Sequence, residues 1–585
     1  MKRIIRQIMG WSLMLTLPLV MTSCEDFFAW LDNPVTPTIQ VLRAQLTLKV
    51  GESLPLRANT QPHVVLLYSS DNPAVATVDA EGVVTAIAEG TTTITIKAQG
   101  EDDYYRTEIF SENTTTVEVT VTKKDGSISF ATADFTKHVG DAAFTNPVTI
   151  VGDGTVSYSS DNEEVAKVNP TTGEVTIVGK GLATIKATII DTDMFAYKTK
   201  TTQYTLKVYR FIDLATQTSN FTAENYDALT GTLAGYYKIS IAEDANVELK
   251  DVTINGNDDE NYKWAGLTCE GDAYITITGA NSVKGFYWFY PAIQAGPEGT
   301  TLTIDGTGTL TATGSTAAAG IGSGRNASCG NITINGGTIY AYSTDAGAGI
   351  GSGYYKSSCG DITINGGNVT AISSYNGAGI GSGKEYSSCG DIIINGGDIT
   401  AISSDNGAGI GSGMDHAACG DIIINGGDIT ASSSGDGAGI GSGFSNSSCG
   451  KISICGGTIT ASSGDSGAGI GSGYVNSSCG DISISGGDIT ASSGQYGAGI
   501  GSGYVSSFDG ITITSDITKV KATTNYAAAW PIGKGYCDNG SGAVSIAGVT
   551  VTSKDWDGTG LTGLNFATST TGGNNLTWTL TPKVP

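Results

Sequence analysis

Acidic side chains recur every 30 residues in the C-terminal half of this sequence. One repeat position carries Asp361, Asp391, Asp421 and Asp481, and a second carries Asp398, Asp428 and Asp488. Carboxylates stacked about 5 Å apart repel one another unless a cation or ordered water lies between them. Calcium suits such a column because it binds carboxylate and carbonyl oxygens. The pattern therefore predicts either a solvated acidic face or calcium sites at Asp361, Asp391, Asp421 and Asp481.

Aromatic side chains cluster at the most variable positions of the repeat, between a Gly-Ser-Gly sequence and a cysteine. The residues concerned are Tyr354, Tyr355, Tyr386, Phe444, Tyr474 and Tyr504. Exposed rings on a flat scaffold suit stacking against sugar rings, and they suit contacts with a protein equally well. The alternative is that these rings only cover the apolar edge of a turn. We predict a ligand-binding face here, for a glycan or a surface protein.

Residues suited to catalysis are few. After Arg210 the sequence contains one arginine, Arg325, and one histidine, His416, each in a single repeat. A polysaccharide lyase needs a base beside cationic groups, and a glycosidase needs a pair of acids that stands out from the scaffold. Here the acids are themselves repeated. We therefore predict a protein without catalytic residues, and a polysaccharide lyase or hydrolase is the alternative.

Net charge and cysteine spacing exclude further classes. The formal charge of −25 argues against a nucleic-acid partner, which requires a basic surface. No CxxC pair occurs, so a zinc site is not expected. Cysteines instead recur every 30 residues, at Cys329, Cys359, Cys389, Cys419, Cys449 and Cys479. Parallel side chains in one stack point the same way, so we predict free, packed thiols, with disulfides as the alternative.

The elements that position these residues form a stacked repeat. Isoleucine recurs at Ile350, Ile380, Ile410, Ile440, Ile470 and Ile500, each inside Gly-Ala-Gly-Ile-Gly-Ser-Gly. Within one repeat, Ile392 and Ile394 should point inward and Ile393 outward, because side chains alternate along a strand. With the weaker copies at both ends, the period predicts a parallel β-solenoid of about ten coils, roughly 50 Å long. Asn335, Asn365, Asn395 and Asn425 should form a hydrogen-bonded ladder.

The solenoid segment resembles the bacterial carbohydrate-binding β-helix family. The resemblance rests on Ile241–Val247, Val252–Gly256, Ile275–Gly279, Leu302–Ile304 and Gly320–Gly324. It implies a pectate-lyase-like solenoid whose relatives bind acidic plant polysaccharide through calcium. Because this chain is itself acidic, such a ligand would require bridging cations.

Two segments before the solenoid repeat one plan about 90 residues apart. The first contains Tyr68–Asn72, Val75–Val78 and Gly90–Ile96, and the second contains Tyr158–Asn162, Val165–Val168 and Gly181–Ile185. Alternating apolar and polar residues between Asp, Asn and Gly turns predict short antiparallel strands in a sandwich. The segments resemble the bacterial Ig-like group 2 family, whose modules usually act as spacers.

The N-terminus predicts export and lipidation. Basic residues precede a short apolar run, which is typical of a signal peptide, and the run ends in Met21–Cys24. This sequence resembles a bacterial lipobox, which makes Cys24 the lipidated first residue. Glu25 and Asp26 resemble an export tag for the outer surface. We expect a lipid-anchored outer-membrane protein displayed on a Gram-negative cell, monomeric, and attached to the membrane through Cys24 only.

The predicted fold is all-β, with two Ig-like β-sandwiches and a C-terminal parallel β-helix. We expect these segments: 1–23 signal peptide, 24–37 tether, 38–123 and 124–209 Ig-like domains, 210–235 linker and cap, 236–556 β-helix, and 557–585 C-terminal cap. The predicted function is a cell-surface lipoprotein that presents a non-catalytic β-helix on an Ig-like stalk to bind carbohydrate or mediate adhesion. A structural or adhesive protein without a defined ligand is a further alternative.

Overall fold

The computed structural model describes residues 35–99, 110–571 and 575–583. The predicted signal peptide and Cys24 lie outside these residues. The described chain is nearly all β, with one short 3-10 helix at Leu214–Thr216. No helix among the described residues is long and apolar enough to cross a membrane. The chain divides into two compact units, of which the second contains everything from Lys207 onward together with residues 136–141 and 177–182.

The first Ig-like domain consists of nine short strands. They are Thr38–Gln40, Gln45–Lys49, Ser53–Pro55, Asn59–Gln61, Leu66–Ser70, Ala76–Val78, Val83–Ala86, Gly90–Ala98 and Asn113–Thr122. A four-stranded sheet and a three-stranded sheet enclose the core, and a two-stranded ribbon lies beside them. In Gly90–Ala98, alternate residues such as Ile94 and Ile96 are fully buried. Period-2 alternation therefore gives each sheet one apolar face.

The second Ig-like domain repeats this plan. Its strands are Lys124–Phe130, Asp134–His138, Phe144–Thr145, Val148–Val151, Val156–Ser160, Ala166–Val168, Glu174–Ile177, Gly181–Ile189, Phe195–Tyr197 and Thr201–Asp213. Tyr197 lies in its core beside Ile128 and Ile189. The Tyr197 hydroxyl accepts a hydrogen bond from the Gly154 N–H at 2.7 Å, so the buried polar end of the ring has a partner.

The solenoid contributes parallel strands to one long sheet, mostly two from each coil. These strands are Asp227–Thr232, Ala245–Ile254, Ala273–Thr278, Ala280–Lys284, Thr301–Gly306, Thr309–Gly314, Asn331–Ile334, Thr338–Ser343, Ile362–Ile364, Asn368–Ser373, Ile392–Ile394, Asp398–Ser403, Ile422–Ile424, Asp428–Ser433, Ile452–Ile454, Thr458–Ser463, Ile482–Ile484, Asp488–Ser492, Gly510–Ile513, Lys519–Thr524 and Ala543–Ile546. The stacking already begins within residues 210–235, because Arg210–Asp213 pairs in parallel with Asp227–Thr230.

Two further sheets complete the coils. One contains Phe221–Ala223, Ile239–Ile241, Leu267–Cys269, Ile293–Gln294, Ile321–Gly322, Ile350–Gly351, Ile380–Gly381, Ile410–Gly411, Ile440–Gly441, Ile470–Gly471, Ile500–Gly501 and Ile532–Gly533. The other contains Ser358–Cys359, Ser388–Cys389, Ala418–Cys419, Ser448–Cys449, Ser478–Cys479 and Ser507–Phe508. The prediction of a solenoid of about ten turns is confirmed.

Identical residues lie over one another in successive coils. Ile362, Ile392 and Ile422 are paired in register, which confirms the stacking that the repeat predicts. Ile392 and Ile394 are fully buried and Ile393 is half-buried, as the alternation predicts. This arrangement stacks the isoleucines into one continuous apolar core.

The asparagine ladder and the free cysteines are also confirmed. The side-chain Nδ2 of each asparagine donates to the side-chain Oδ1 of the asparagine one coil earlier, at 2.7 Å. The ladder runs from Asn335 through Asn365 and Asn395 to Asn425. The six repeat cysteines are free and buried in the core. The sequence left their direction open, and their burial shows that the thiols face inward.

A strand hairpin covers the C-terminal coils. Leu564–Thr571 pairs with Asn575–Pro582, and the latter pairs antiparallel with Lys519–Thr524. Trp578 of this hairpin is almost fully buried. Pairing of this kind leaves no free strand edge at Lys519–Thr524, where another chain could otherwise add a strand.

Candidate binding face of the solenoid

Every regular coil contains a turn with left-handed backbone conformations, at two central residues in five coils and at one in the coil of Val505. Tyr355 and Lys356 have φ angles of 61° and 53°, and Glu385 and Tyr386 have 63° and 56°. The conformation recurs at Asp415 and His416, Ser445 and Asn446, Val475 and Asn476, and Val505. We call these residues the left-handed turns. They lie between the Gly-Ser-Gly sequence and the cysteine of each coil, where the variable aromatic residues occur.

These turns contain no glycine, although the chain has 83 glycines. A left-handed conformation costs an L-residue about 1–2 kcal/mol, which glycine avoids. Elsewhere in the same coils glycine does occupy positive φ, as at Gly351 with 135° and Gly367 with 91°. The cost is greatest for the β-branched Val475 and Val505. Because such strain concentrates at functional sites, we infer that the turns keep these residues for the contacts of their side chains.

Hydrogen bonds between coils hold the left-handed turns in register. The N–H of Tyr355 donates to the Lys384 carbonyl at 3.0 Å, and equivalent bonds recur along the solenoid. A buried serine follows the turn, and Ser357 Oγ donates to the Tyr354 carbonyl at 2.9 Å. The backbone is thus largely satisfied within the protein, which leaves the side chains to meet a partner.

Arg325 lies at the position equivalent to Tyr354 in the preceding coil, among aromatic rings. Its guanidinium carbon is 4.8 Å from the ring centre of Phe289, 5.4 Å from that of Tyr354 and 5.7 Å from that of Tyr355. Cation–π attraction stabilises this arrangement. Arg325 remains exposed, so its planar donors stay available to a carboxylate or sulfate group.

Tyr354 links two coils through its hydroxyl group. The hydroxyl donates to Glu385 Oε2 at 2.5 Å. This hydrogen bond is the largest cause that raises the pKa of Tyr354 to about 12, and burial adds to it. Beside it, Lys384 Nζ lies 3.7 Å from Asp415 Oδ2. The left-handed turns of these coils therefore carry fixed positive and negative groups next to aromatic rings.

Tyr386 is the most exposed of the six predicted aromatic residues. It is 54% exposed, and its ring stacks on His416 with centres 4.8 Å apart and planes 1° apart. One face of Tyr386 is therefore covered and the other is available. The remaining five residues of the predicted set are half-buried, namely Tyr354, Tyr355, Phe444, Tyr474 and Tyr504.

Aromatic rings nearer the C-terminus stack on one another. Tyr474 and Tyr504 have ring centres 5.0 Å apart at 15°, and Tyr504 and Tyr536 have centres 5.5 Å apart at 14°. Phe444 continues the row, 5.3 Å from Tyr474. Because each ring covers the face of the next, this part of the column offers ring edges and hydroxyl groups to a ligand. Stacking of sugars on ring faces is favoured at Tyr386 instead.

The aspartate column has a structural role that requires no cation. The Asp421 N–H donates to Asp391 Oδ1 at 2.8 Å, and the Asp391 N–H donates to Asp361 Oδ1 at 2.8 Å. At the ends, Asn331 Oδ1 accepts from Asp361, and Lys451 donates to Asp421. From the sequence we expected cations or water between these acids. In the structure, the backbone N–H of the next coil lies against each carboxylate of Asp361 and Asp391 instead.

No group of three or more His, Cys, Asp or Glu residues that could hold a metal occurs in the described part of the chain. Asp481 follows Lys451 in the column and is exposed. Calcium at Asp361, Asp391, Asp421 and Asp481 stays a sequence prediction, and nothing in the geometry of the column adds to it.

Sequence reasoning missed the surroundings of Arg325 and the left-handed turns. The surroundings of Arg325 could have been predicted by aligning Arg325 with Tyr354 in the repeat, because this alignment puts a cation in the aromatic column. The left-handed turns have a weaker signal in Asn446, Asn476 and His416, because Asn and His are enriched at positive φ, whereas Val475 and Tyr355 give none. The arrangement can hold an anionic group at Arg325 and a ring at Tyr386.

Comparisons with known proteins agree with this architecture. Residues 35–107 match the bacterial Ig-like domain (group 2) family, and residues 151–191 match the intimin immunoglobulin-like domain family. The beta helix repeat family matches residues 302–325, 332–354, 362–384, 392–414, 422–444, 452–474 and 482–504.

One curated relative is a kappa-carrageenase of Pseudoalteromonas carrageenovora, 35% identical over 83 residues. The match covers 14% of this chain and 20% of that enzyme, so the chain spans one fifth of the length of this relative.

Solved structures with a likeness to this chain include human protocadherin-24 EC1-2, at 16% identity, and domains 4 and 5 of the S-layer protein SbsC, at 19% identity. The likeness covers 30% and 29% of this chain, and 99% and 96% of those chains. The TM-scores are 0.16 and 0.18, so no functional conclusion follows from them. The family matches and the fold together establish that this chain consists of bacterial Ig-like domains followed by a β-helix repeat region.

Proposed function

We propose that the solenoid binds carbohydrate, without cleaving it, through the left-handed turns that carry Tyr355 and Tyr386. The observation that carries this proposal is that every regular coil keeps non-glycine residues in left-handed conformations within a glycine-rich chain. Residues retained at such a cost are best explained by the contacts that their side chains make.

The chemistry of these turns suits a sugar ligand. The free face of Tyr386 can stack on the apolar face of a sugar ring. Glu385 and Asp415 are acceptors for sugar hydroxyl groups, and Arg325 and Lys356 are donors. Successive coils place their turns about 4.8 Å apart. A polymer that lies along the solenoid axis can therefore contact several turns at once.

The rest of the chain fits display at a cell surface. Ig-like domains precede the solenoid, and in this proposal they act as a spacer between a lipid on Cys24 and the binding region. Residues 1–23 are then the signal peptide, and the protein is an outer-membrane lipoprotein that faces the exterior. Adhesion to a glycan-coated surface would be the physiological use.

A glycan array, run with and without calcium, tests the binding proposal. We expect the full chain to bind a subset of glycans, and Tyr355→Ala with Tyr386→Ala to weaken binding at least tenfold. Thr400→Ala changes an outward residue on another face of the same coil and is the matched control. Unchanged binding in the double variant, with an unchanged melting temperature, would contradict the proposal.

Polysaccharide cleavage is the second candidate function. The kappa-carrageenase relative favours it, although that likeness covers a small part of both proteins. Incubation with carrageenans and pectins, followed by assays for reducing ends and for unsaturated products, separates the two candidates. Release of either product, and its loss in His416→Ala, would favour an enzyme. Binding without product supports the non-catalytic proposal.

A further inference from the structure

We propose that the column of six cysteines binds soft, two-coordinate metal ions such as Cu(I) or Ag(I), each between two neighbouring thiols. The column consists of Cys329, Cys359, Cys389, Cys419, Cys449 and Cys479. It belongs to the core rather than to the left-handed turns, so the inference does not depend on the proposed carbohydrate binding.

The register of the strands stacks the thiols. Cys389 pairs with Cys359 on one side and with Cys419 on the other, and the pairing continues through Cys449 to Cys479. Identical side chains in one register repeat at the strand spacing, which places neighbouring sulfur atoms about 4.7–4.9 Å apart. Disulfides are disfavoured because the parallel side chains point the same way and their Cβ atoms are farther apart than the usual 3.5–4.5 Å or so.

This spacing matches a linear sulfur–metal–sulfur unit. A metal–thiolate bond is about 2.3 Å long, so two such bonds in line span about 4.6 Å. Zinc requires four ligands in a tetrahedron, whereas each gap in the column offers two sulfur atoms. Thiolate ligands select soft ions such as Cu(I), for which two ligands suffice. The geometry therefore discriminates between classes of metal ion.

Proton exchange keeps the buried column neutral. A singly charged ion between two neighbouring sulfur atoms displaces one thiol proton, so one ion, one thiolate and one thiol together are neutral. A bridging thiolate is pyramidal and cannot bind two ions on opposite sides, so six sulfur atoms, taken two at a time, hold three ions and release three protons. No net charge is then buried, which avoids the large cost of desolvating a charge.

The middle of the column is the most favourable entry point. Cys359, Cys389, Cys419 and Cys449 are 6–8% exposed, whereas Cys329 and Cys479 are 1% and 2% exposed. A metal ion therefore reaches the middle thiols more directly than the thiols at the ends.

Silver titration of the reduced full chain tests the proposal. Cys455→Ser and Cys537→Ser remove the two exposed cysteines, and Cys24→Ser removes the one outside the described residues, which leaves seven of the ten. All seven should react with a thiol reagent after denaturation, which verifies that the sample is reduced. Equilibrium dialysis with silver nitrate in chloride-free buffer, against a competing thioether ligand, then counts the tightly bound ions.

Two double variants with equal numbers of cysteines distinguish pairs of neighbouring thiols from independent thiols. Cys329→Ser with Cys479→Ser leaves four consecutive cysteines and two pairs. Cys359→Ser with Cys449→Ser leaves only Cys389 and Cys419 as neighbours, so we expect one silver ion fewer per chain. Serine is nearly isosteric, and circular dichroism verifies the fold. Equal silver counts in the two variants, or no tight binding in the parent chain, would overturn the proposal.

Discussion

The carboxylate of Asp391 illustrates how single residues act in a stacked fold. It accepts the Asp421 N–H, and the Asp391 N–H is donated in turn to Asp361. Asn331, two coils before Asp391, accepts the Asp361 N–H in the same way with a neutral side chain. The position therefore requires an acceptor oxygen rather than a negative charge, which explains why the sequence uses both residue types there.

Replacement of Asp391 separates the need for an acceptor oxygen from the need for a negative charge. Asp391→Asn keeps the acceptor and removes repulsion between neighbouring acids, so we expect a melting temperature equal to or above that of the parent. Asp391→Ala leaves the Asp421 N–H without its partner and should cost about 1–2 kcal/mol. Thermal unfolding of both variants checks this. A stabilised alanine variant would contradict the structural role.

Asp436 is an acid whose ionisation the fold opposes. Burial is the largest cause that raises the pKa of its carboxyl group, although the Ser466 N–H acts in the opposite direction. When folding raises the pKa of an acid, the free energy of unfolding falls as the pH rises from the ordinary pKa through the raised one. Asparagine occupies the same column at Asn376 and Asn406, so it fits the site.

Asp436→Asn should therefore raise the melting temperature at pH 7, by about 1–3 °C. The gain should disappear as the pH falls through the raised pKa toward the ordinary value of about 3.9. The Asp436 carboxyl group of the parent is then protonated and as neutral as the amide that replaces it. Melting temperatures between pH 3.5 and 8 measure this, with Asp516→Asn, at an exposed acid outside the stacked columns, as the control. A gain independent of pH would show that ionisation is not its cause.

At the scale of the coil, glycine is required where successive backbones approach closely. A Cβ atom on Gly411 would lie 1.8 Å from the Gly441 carbonyl oxygen, at a φ angle of 136°. On Gly396 of the same repeat, the nearest atom would be the Asn365 carbonyl oxygen at 3.4 Å, without positive φ. Two glycines of one repeat thus have very different roles.

Gly411→Ala should destabilise the solenoid by about 3 kcal/mol or more, through backbone strain and displacement of the next coil. Gly396→Ala should change stability by less than about 1 kcal/mol. Calorimetry of the solenoid transition compares the two variants directly. Similar melting temperatures for both would mean that the coils can separate locally without loss of stability.

Much of the coil could be predicted from the sequence, because a strict period reports stacking directly. Ile392 and Ile394 alternate with a variable position, and this alternation identified the buried face. The bonds of Asp391 could not be predicted, since they depend on how far the backbone of the next coil lies from the side chain. The left-handed conformations at Val475 and Tyr355 were missed because neither residue type indicates positive φ.

At the scale of the whole molecule, a repeated core supports one variable surface. The stacked core needs the same residues in every coil, so it cannot encode recognition. Coils differ at the left-handed turns, which include Glu385 and Tyr386, and at the neighbouring Arg325. Recognition of a polymer would then depend on the order of side chains along the solenoid.

Glycine replacement in two of these turns measures how far binding depends on their side chains. A variant with Tyr355→Gly, Lys356→Gly, Glu385→Gly and Tyr386→Gly removes the side chains and permits the same backbone conformation. Binding of the array-selected glycan and the melting temperature are measured together. We expect binding at least tenfold weaker, with a melting temperature equal to or higher than that of the parent. Undiminished binding, or a marked fall in the melting temperature, would contradict this expectation.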